Sequence, residues 1–226
     1  MARGPFEPTF EELPEILPIF PLESVLLLPH GILPLNIFEP RYLAMIRDSL
    51  GAARMIGMIQ PKGSGEFDND ELDNGPVLFD SGCAGRIISF SETPDGRYLI
   101  TLRGTCRFNI ADELALRSGY RRVVPDFTPW RGDLDTPAVA GIDSSRLIEL
   151  LERYLTSQNS KANLTAIKDM DPGELVTTIA MTCPFDAGEK QALLEAADLA
   201  QRAEVLTTLL EMAARGKADD SEVTRH

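Results

Sequence analysis

Residues capable of acid–base or nucleophilic chemistry are scarce in this sequence of 226 residues. Its two histidines are His30 and the C-terminal His226, so a histidine-based mechanism has one internal candidate. His30 lies in a Pro-His-Gly turn between apolar runs, with no nucleophile near it in sequence, and we interpret it as structural. The motifs GxxxxGK(S/T), GxSxG and HExxH are absent, and no GxGxxG turn follows a strand. We therefore expect no enzymatic activity and no cofactor.

Cysteine and aspartate spacing also predicts no metal site. The cysteines, which lack CxxC spacing, are Cys83, Cys106 and Cys183. Zinc would need these three together with His30, and buried apolar thiols are the simpler interpretation. Asp68, Asp70 and Asp73 invite comparison with a calcium loop, but glycine at its sixth position and glutamate at its twelfth are missing. Residues 61–76 are better explained as a solvated polar loop.

Charge and hydropathy narrow the class of partner. The 35 acidic and 22 basic side chains give a formal charge of −13, which disfavours nucleic acids and anionic membranes. The pair Arg121-Arg122 is interpreted as a solvated strand edge. No apolar run approaches the roughly 18 residues of a transmembrane helix, and the N-terminus lacks the pattern of a signal peptide. We expect a cytoplasmic protein with reduced thiols.

Short apolar runs predict strands in the first half of the chain. Residues 16–20, 25–28, 33–37 and 54–59 are too short for helices and read as buried strands, with Pro34 placing the third at an edge or strand start. Pro40 suits the first turn of a helix that Gly51 ends.

The clearest β-hairpin joins residues 85–90 to 98–102 through Thr93-Pro94-Asp95-Gly96. Proline presets the first turn residue and glycine accepts the left-handed position, so the turn is bulged and pairs Thr93 with Arg97. This register sends Cys83 and Cys106 to opposite faces of the sheet, and we predict no disulfide between them.

The second half of the chain is predicted to be helical. Residues 127–141 are rich in proline, glycine and threonine, which indicates a boundary. Asp143 begins one helix, and three capping boxes begin others at Asp171, Asp186 and Asp198. Apolar residues follow each cap at helical spacing, so we expect a small bundle.

The most specific pattern is LPIFPL at 17–22 followed by LPHGILPLNIFEPRY at 28–42. It resembles the opening signature of the Lon protease N-terminal, or substrate-binding, domain family. The similarity continues through 55–59, 82–87, 95–100 and 104–108, and the helical part from 171 to 210 also fits. It spans about residues 14 to 214.

The resemblance implies an α+β fold: an N-terminal β-rich, PUA-like pseudo-barrel with one helix, followed by a C-terminal α-helical bundle. We place the barrel at 14–130 and the bundle at 141–214, with flexible tails at 1–13 and 215–226. In full-length Lon this region captures substrates for the ATPase and protease that follow. Because this sequence lacks a Walker loop, we expect a free-standing recognition domain.

Within the signature, the prolines set the backbone direction, while the apolar residues expected to supply core are Leu22, Leu35, Ile37 and Phe38. The polar set at the helix start is Glu39, Arg41 and Tyr42. These three either brace the barrel against the helix or line a binding surface, and the sequence leaves both interpretations open.

The leading functional hypothesis is a non-catalytic module that recognises unfolded or partly folded proteins and peptides, as an adaptor or holdase linked to a protease or chaperone system. Such a module needs an exposed apolar patch or a sheet edge. The alternative is RNA binding, which relatives of the PUA-like architecture perform and which the charge of −13 disfavours. A small-molecule enzyme is the third hypothesis, and no residues support it.

Overall fold

The computed structural model describes residues 8–62, 75–158 and 165–223, with backbone only for 165–166 and 215–223. Asp68, Asp70 and Asp73, whose spacing invites comparison with a calcium loop, lie outside these ranges. The strands are β1 (Leu17–Pro21), β2 (Ile32–Ile37), β3 (Met55–Ile59), β4 (Ser81–Glu92), β5 (Tyr98–Arg117) and β6 (Tyr120–Asp126). The helices are α1 (Pro40–Leu50), α2 (Ser144–Ser157), α3 (Thr165–Lys168), α4 (Pro172–Thr182), α5 (Ala187–Glu195) and α6 (Leu199–Val223). Short 3-10 helices span Phe10–Glu12 and Thr128–Leu134.

The chain divides into two compact units. The first is Met1–Thr136 with Phe185–Ala187, and the second is Pro137–Pro184 with Gly188–His226. The division after Thr136 falls between the predicted barrel and the predicted bundle.

The first unit is a closed barrel built on one mixed sheet. The strand order is β2-β5-β4-β3-β1-β6, and β5 pairs with β6 as well, so five strands form a ring and β2 lies beside β5. The long strand β5 makes this possible because its first half pairs with β4 and β2 and its second half with β6. Buried residues filling the ring include Leu17, Ile19, Phe108 and Val123. The predicted α+β class and pseudo-barrel are confirmed.

The β4–β5 hairpin has the predicted register. The Thr93 N–H donates to the carbonyl of Arg97 at 2.9 Å. Two irregularities, between residues 84 and 85 and between 87 and 89, shift the register by one residue and then restore it, so that Ala84 faces Cys106. Cys83 therefore points to the other face of the sheet, as predicted, and all three thiols are free.

The predicted strand at 25–28 is wrong, because this apolar run is buried without entering the sheet. Leu28 is fully buried in an irregular segment. The His30 N–H donates to the carbonyl of Gly104 at 2.9 Å, and the Gly104 N–H donates to that of Gly31 at 2.8 Å. A Cβ on Gly104 would lie 1.9 Å from the carbonyl oxygen of Leu28, so only glycine allows this close approach.

The interpretation of Arg121-Arg122 as a solvated edge is also wrong. β6 pairs with β1 on one side and β5 on the other, so it closes the barrel. The Arg121 side chain is 12% exposed and forms a two-point ion pair with Glu113, both distances being 2.6 Å. It also donates to the carbonyl of Pro76 at 2.7 Å. A bidentate carboxylate and a carbonyl compensate the burial of this charge.

Residues outside 14–130 also contact the barrel core. Phe10 packs against the core, with the guanidinium of Arg131 4.4 Å from its ring centroid. Leu134 packs against the same core from the 3-10 helix. The buried Gln60 donates to the carbonyl of Ala187 at 3.2 Å. Residues 8–13 and 131–136 are mostly polar, and single apolar residues make these contacts. The composition of the two segments therefore did not predict them.

A buried charge clamp holds the 3-10 helix Thr128–Leu134 to β5. Arg107 donates to the two carboxylate oxygens of Asp133 from its backbone N–H (2.9 Å), Nε (2.8 Å) and Nη2 (2.7 Å). The side chains are 3% and 9% exposed. The guanidinium also lies 3.9 Å from the ring centroid of Trp130, whose Nε1 donates to Asn109 at 3.1 Å.

The second unit contains capped helices. Asp143 accepts from the N–H of Arg146 at 3.0 Å, and Asp171 accepts from that of Gly173 at 2.9 Å. Asp198 accepts from the N–H of Gln201 at 2.8 Å. α6 continues to Val223, beyond the expected end of the bundle at 214. Among the helices described, none has the length and apolar content to cross a membrane.

Candidate functional site

The predicted polar set lies together at the start of α1. Arg41 Nε donates to Glu39 at 3.0 Å, and both side chains are about half-exposed, at 52% and 44%. The Arg41 guanidinium lies 4.7 Å from the ring centroid of Tyr42. Tyr42 itself is 7% exposed and packs on Phe20 with ring centroids 4.1 Å apart. Burial raises the pKa of Tyr42, which Arg41 partly offsets. Glu39 and Arg41 are therefore the members available at the surface.

β2, immediately before this set, is an edge strand. It pairs with β5 along its whole length, and within the described parts of the chain no strand pairs with its other edge. One side chain row, facing the buried side of β5, is Leu33, Leu35 and Ile37 opposite Leu102, Ile100 and Tyr98. The other row is Ile32, Pro34 and Asn36 opposite Arg103, Thr101 and Leu99. The second row forms the outer face, because side chains alternate along a strand.

Large apolar side chains are exposed on and beside this outer face. Ile32 is 48% exposed and Leu99 is 46% exposed. Phe38, which directly follows β2, is 63% exposed, so its predicted place in the core is wrong. Ile37 takes the buried position at the end of the strand, and the next residue turns outward before the helix. We call Ile32, Pro34, Phe38 and Leu99 the β2 strip.

Polar groups lie beside one end of the strip. Glu39 and Arg41 form one ion pair, and Asp95 and Arg97 form another at 2.9 Å in the neighbouring hairpin turn. Each pair is neutral overall, and exposed Arg103 lies opposite Ile32 on the outer face, so the strip is an apolar surface bordered by charged side chains. Surfaces of this kind commonly mark sites of protein interaction.

One feature of the sequence does indicate the β2 strip. Residues 32–38 read ILPLNIF and contain no charged side chain. Edge strands are commonly protected by charged side chains or by proline, and this run has proline at position 34 but no charge. Once Pro34 had placed this strand at an edge, the apolar residues on both of its faces predicted exposure of half of them.

The groups with the largest pKa shifts lie away from the strip and are stabilised in their neutral forms. Burial raises the pKa of Cys106 to about 12, with a contribution from Asp133, and that of Cys183 to about 11. Burial also raises the pKa of Tyr120 to about 12, assisted by its 2.7 Å hydrogen bond to Asp48. Within the described residues, no cluster of histidine, cysteine and carboxylate side chains could hold a metal. None of these groups is tuned as a nucleophile or general base near neutral pH.

The fold is a closed barrel with an unpaired apolar edge strand and a separate unit of capped helices. Comparison with known proteins identifies the family to which this fold belongs. The family model for the ATP-dependent protease La (LON) substrate-binding domain matches residues 16–212, and the chain belongs to this family.

Individual relatives and structures agree with this assignment. The chain is 26% identical over 202 residues to Lon protease 2 of Myxococcus xanthus, covering 88% of this chain and 24% of that protein. It is 26% identical over 203 residues to the Lon protease of Anaeromyxobacter dehalogenans, covering 88% and 23%. The chain thus spans about a quarter of the length of these relatives.

Two solved structures share the fold. The Lon N-terminal domain protein from Xanthomonas campestris superposes with a TM-score of 0.56 at 23% identity, covering 85% of this chain and 97% of that one. The N-terminal domain of the Mycobacterium avium complex Lon protease gives 0.60 at 15% identity, covering 87% and 98%.

Proposed function

We propose that this chain is a non-catalytic recognition module that binds non-native protein segments at the β2 strip. Membership of a substrate-binding domain family supports binding of protein substrates in a protease context. The finer part of the proposal is that the chain acts in the cytoplasm as an adaptor or holdase, passing such segments to a protease or chaperone system. Glu39 and Arg41 would border the bound segment.

The observation that carries the proposal is the exposure of Ile32, Phe38 and Leu99. Full burial of such a side chain stabilises by roughly 1.5–3 kcal/mol, and these three are already about half-buried. Together they can contribute roughly 2–5 kcal/mol, against a cost of association of at least about 4 kcal/mol. Contact with the strip alone therefore gives weak binding. A module that samples many unfolded chains requires such weak side-chain contacts.

The proposal is tested by titrating the whole chain into a labelled, permanently unfolded protein, such as reduced and carboxymethylated α-lactalbumin, and following fluorescence anisotropy. Phe38→Ser with Leu99→Ser should weaken binding about tenfold, since both anchors are lost. Met212→Ser is the matched control, because Met212 is 62% exposed on α6, close to the 63% of Phe38. Absence of binding by the unchanged chain, or equal losses in both variants, would contradict the proposal.

The RNA-binding alternative gains no support from the comparisons, and the formal charge of −13 opposes it. The same titration with a structured RNA provides the direct check. Salt-sensitive, micromolar binding to that RNA without binding to the unfolded protein would favour the alternative.

A further inference from the structure

The backbone groups of β2 that face solvent can be identified from two hydrogen bonds, one on either side of β5. At the hairpin, the Thr93 N–H bonds to the carbonyl of Arg97, so alternate β5 residues from Leu99 onward direct their backbone groups to β4. At the other end, the Gly104 N–H bonds to the carbonyl of Gly31, so this position of β5 is directed to β2. The two bonds give the same alternation.

It follows that the backbone N–H and carbonyl groups of Leu33, Leu35 and Ile37 form hydrogen bonds with β5. Ile32, Pro34 and Asn36 direct theirs to the free edge. Pro34 fits this pattern. Proline has no N–H, so a strand tolerates it only at a position that does not donate a hydrogen bond to a neighbouring strand. The edge thus offers N–H and carbonyl groups at Ile32 and Asn36, and a carbonyl alone at Pro34.

Apart from Asn36 on the outer face, the side chains along this edge are apolar on both faces. Leu33 and Leu35 are half-buried on the inner face, while Ile32 and Phe38 are exposed on or just beyond the outer one. An added strand would therefore place apolar side chains on both of its own faces. Strands of that composition are buried on both sides in folded proteins and become accessible only on unfolding.

We propose that the free edge of β2 binds such a segment as an added β-strand, with main-chain hydrogen bonds to Ile32 and Asn36. This inference rests on the proposed function and names its substrate class: proline-free, predominantly apolar strand segments of unfolded proteins. Main-chain pairing supplies the affinity that the side chains of the β2 strip lack, without requiring a particular sequence.

Pro34 favours a foreign segment over a second copy of this chain. An antiparallel pair of two β2 edges would contain two prolines and so lose two N–H donors, whereas a foreign strand meets one proline. Proline on an edge is a known protection against self-pairing. The segment residue opposite Pro34 still donates its N–H to the Pro34 carbonyl, but its own carbonyl has no donor.

The experiment uses the whole chain and a fluorescent ten-residue peptide of valine, leucine and isoleucine, with an uncharged solubilising linker. A second peptide carries N-methyl groups on three consecutive central residues, which block pairing in either register. We expect the methylated peptide to bind at least about tenfold more weakly. Pro34→Ala restores an N–H to the edge and should bind the unmethylated peptide about fivefold more tightly, the effect of one net hydrogen bond. Pro94→Ala, an exposed proline in the hairpin turn, is the control and should change affinity less than about twofold.

The outcomes separate this inference from the proposed function. If the methylated peptide binds as well as the unmethylated one, or if Pro34→Ala gives no gain, the added strand is refuted while binding by the β2 strip stands. If neither peptide binds and the unfolded protein does not bind either, both proposals fail. If the unchanged chain sediments as a dimer that the peptide does not dissociate, the edge belongs to a second copy and the inference is overturned.

Discussion

Replacing Asp133 by alanine removes the carboxylate that compensates a buried guanidinium. Arg107 and Asp133 are 3% and 9% exposed and share three hydrogen bonds of 2.7–2.9 Å. Removing one partner of a buried pair costs about 3–5 kcal/mol, because the remaining charge stays buried without compensation. Domains of this size are stable by about 5–15 kcal/mol, so the variant should lose a large part of that stability.

The assay is urea denaturation followed by tryptophan fluorescence. The chain has one tryptophan, Trp130, which lies on the Arg107 guanidinium and so reports on the barrel unit. The matched control is Asp80→Ala, which removes an ion pair to Lys62 whose side chains are 42% and 88% exposed. Such exposed pairs contribute about 0–1 kcal/mol, so its unfolding curve should barely move.

The reasoning is refuted if Asp133→Ala loses less than about 1 kcal/mol beyond the loss in Asp80→Ala. A double variant, Arg107→Leu with Asp133→Leu, distinguishes the effect of an uncompensated buried charge from the effect of lost packing. It removes the buried charge together with its partner, so it should be less destabilised than Asp133→Ala alone. A double variant that is more destabilised would show that packing, rather than an uncompensated charge, explains the loss.

Two further predictions concern stability. Gly104→Ala should lower the free energy of unfolding by about 3 kcal/mol, because its Cβ would lie 1.9 Å from a backbone oxygen. Gly132→Ala, with open space around it, should lower it by less than about 1 kcal/mol. Comparable urea midpoints for the two variants would contradict this. Burial raises the pKa of Cys106 to about 12 and that of Cys183 to about 11, while unfolded thiols ionise near 9.0. The stability that the protonated thiols contribute is therefore complete below about pH 9 and is lost as the pH rises toward 11–12. Urea midpoints should accordingly decrease between about pH 9 and pH 10. Constant midpoints would contradict the assignment.

Local signals in the sequence predicted several elements correctly. Pro40 and Gly51 bracket α1 because each has a backbone property that suits one end of a helix. The bulged turn at Thr93–Gly96 sets the register beside it, and that register still separates Cys83 from Cys106 because the two later irregularities cancel. In each case a few adjacent residues determine the local conformation, so that conformation can be predicted from a single sequence.

Features that depend on distant contacts were not predictable in the same way. The run at 25–28 looked like a strand because burial and strand pairing leave the same apolar pattern. Its true neighbour, Gly104, lies far along the chain. The clamp between Arg107 and Asp133 joins positions 26 residues apart, and neither residue has a local signature. Arg121 looked solvated for the same reason, since Glu113 becomes its partner only when β5 and β6 pair.

The candidate site was predicted in part. Sequence directed attention to the start of α1, where Glu39 and Arg41 form an exposed ion pair. It missed Ile32, Phe38 and Leu99, because an apolar residue in a strand is normally assigned to the core. Which face of β2 lies outward depends on its pairing with β5, and that pairing is a property of the whole barrel.

The most direct test of the central claim is amide hydrogen exchange of the whole chain, with and without a saturating unfolded protein. Ile32 and Asn36 carry the two N–H groups that the free edge of β2 offers. We predict that these amides become more protected on binding, while those of Leu33 and Leu35, already bonded to β5, change little. Unchanged exchange at Ile32 and Asn36, with new protection confined to another surface, would contradict binding at the β2 strip.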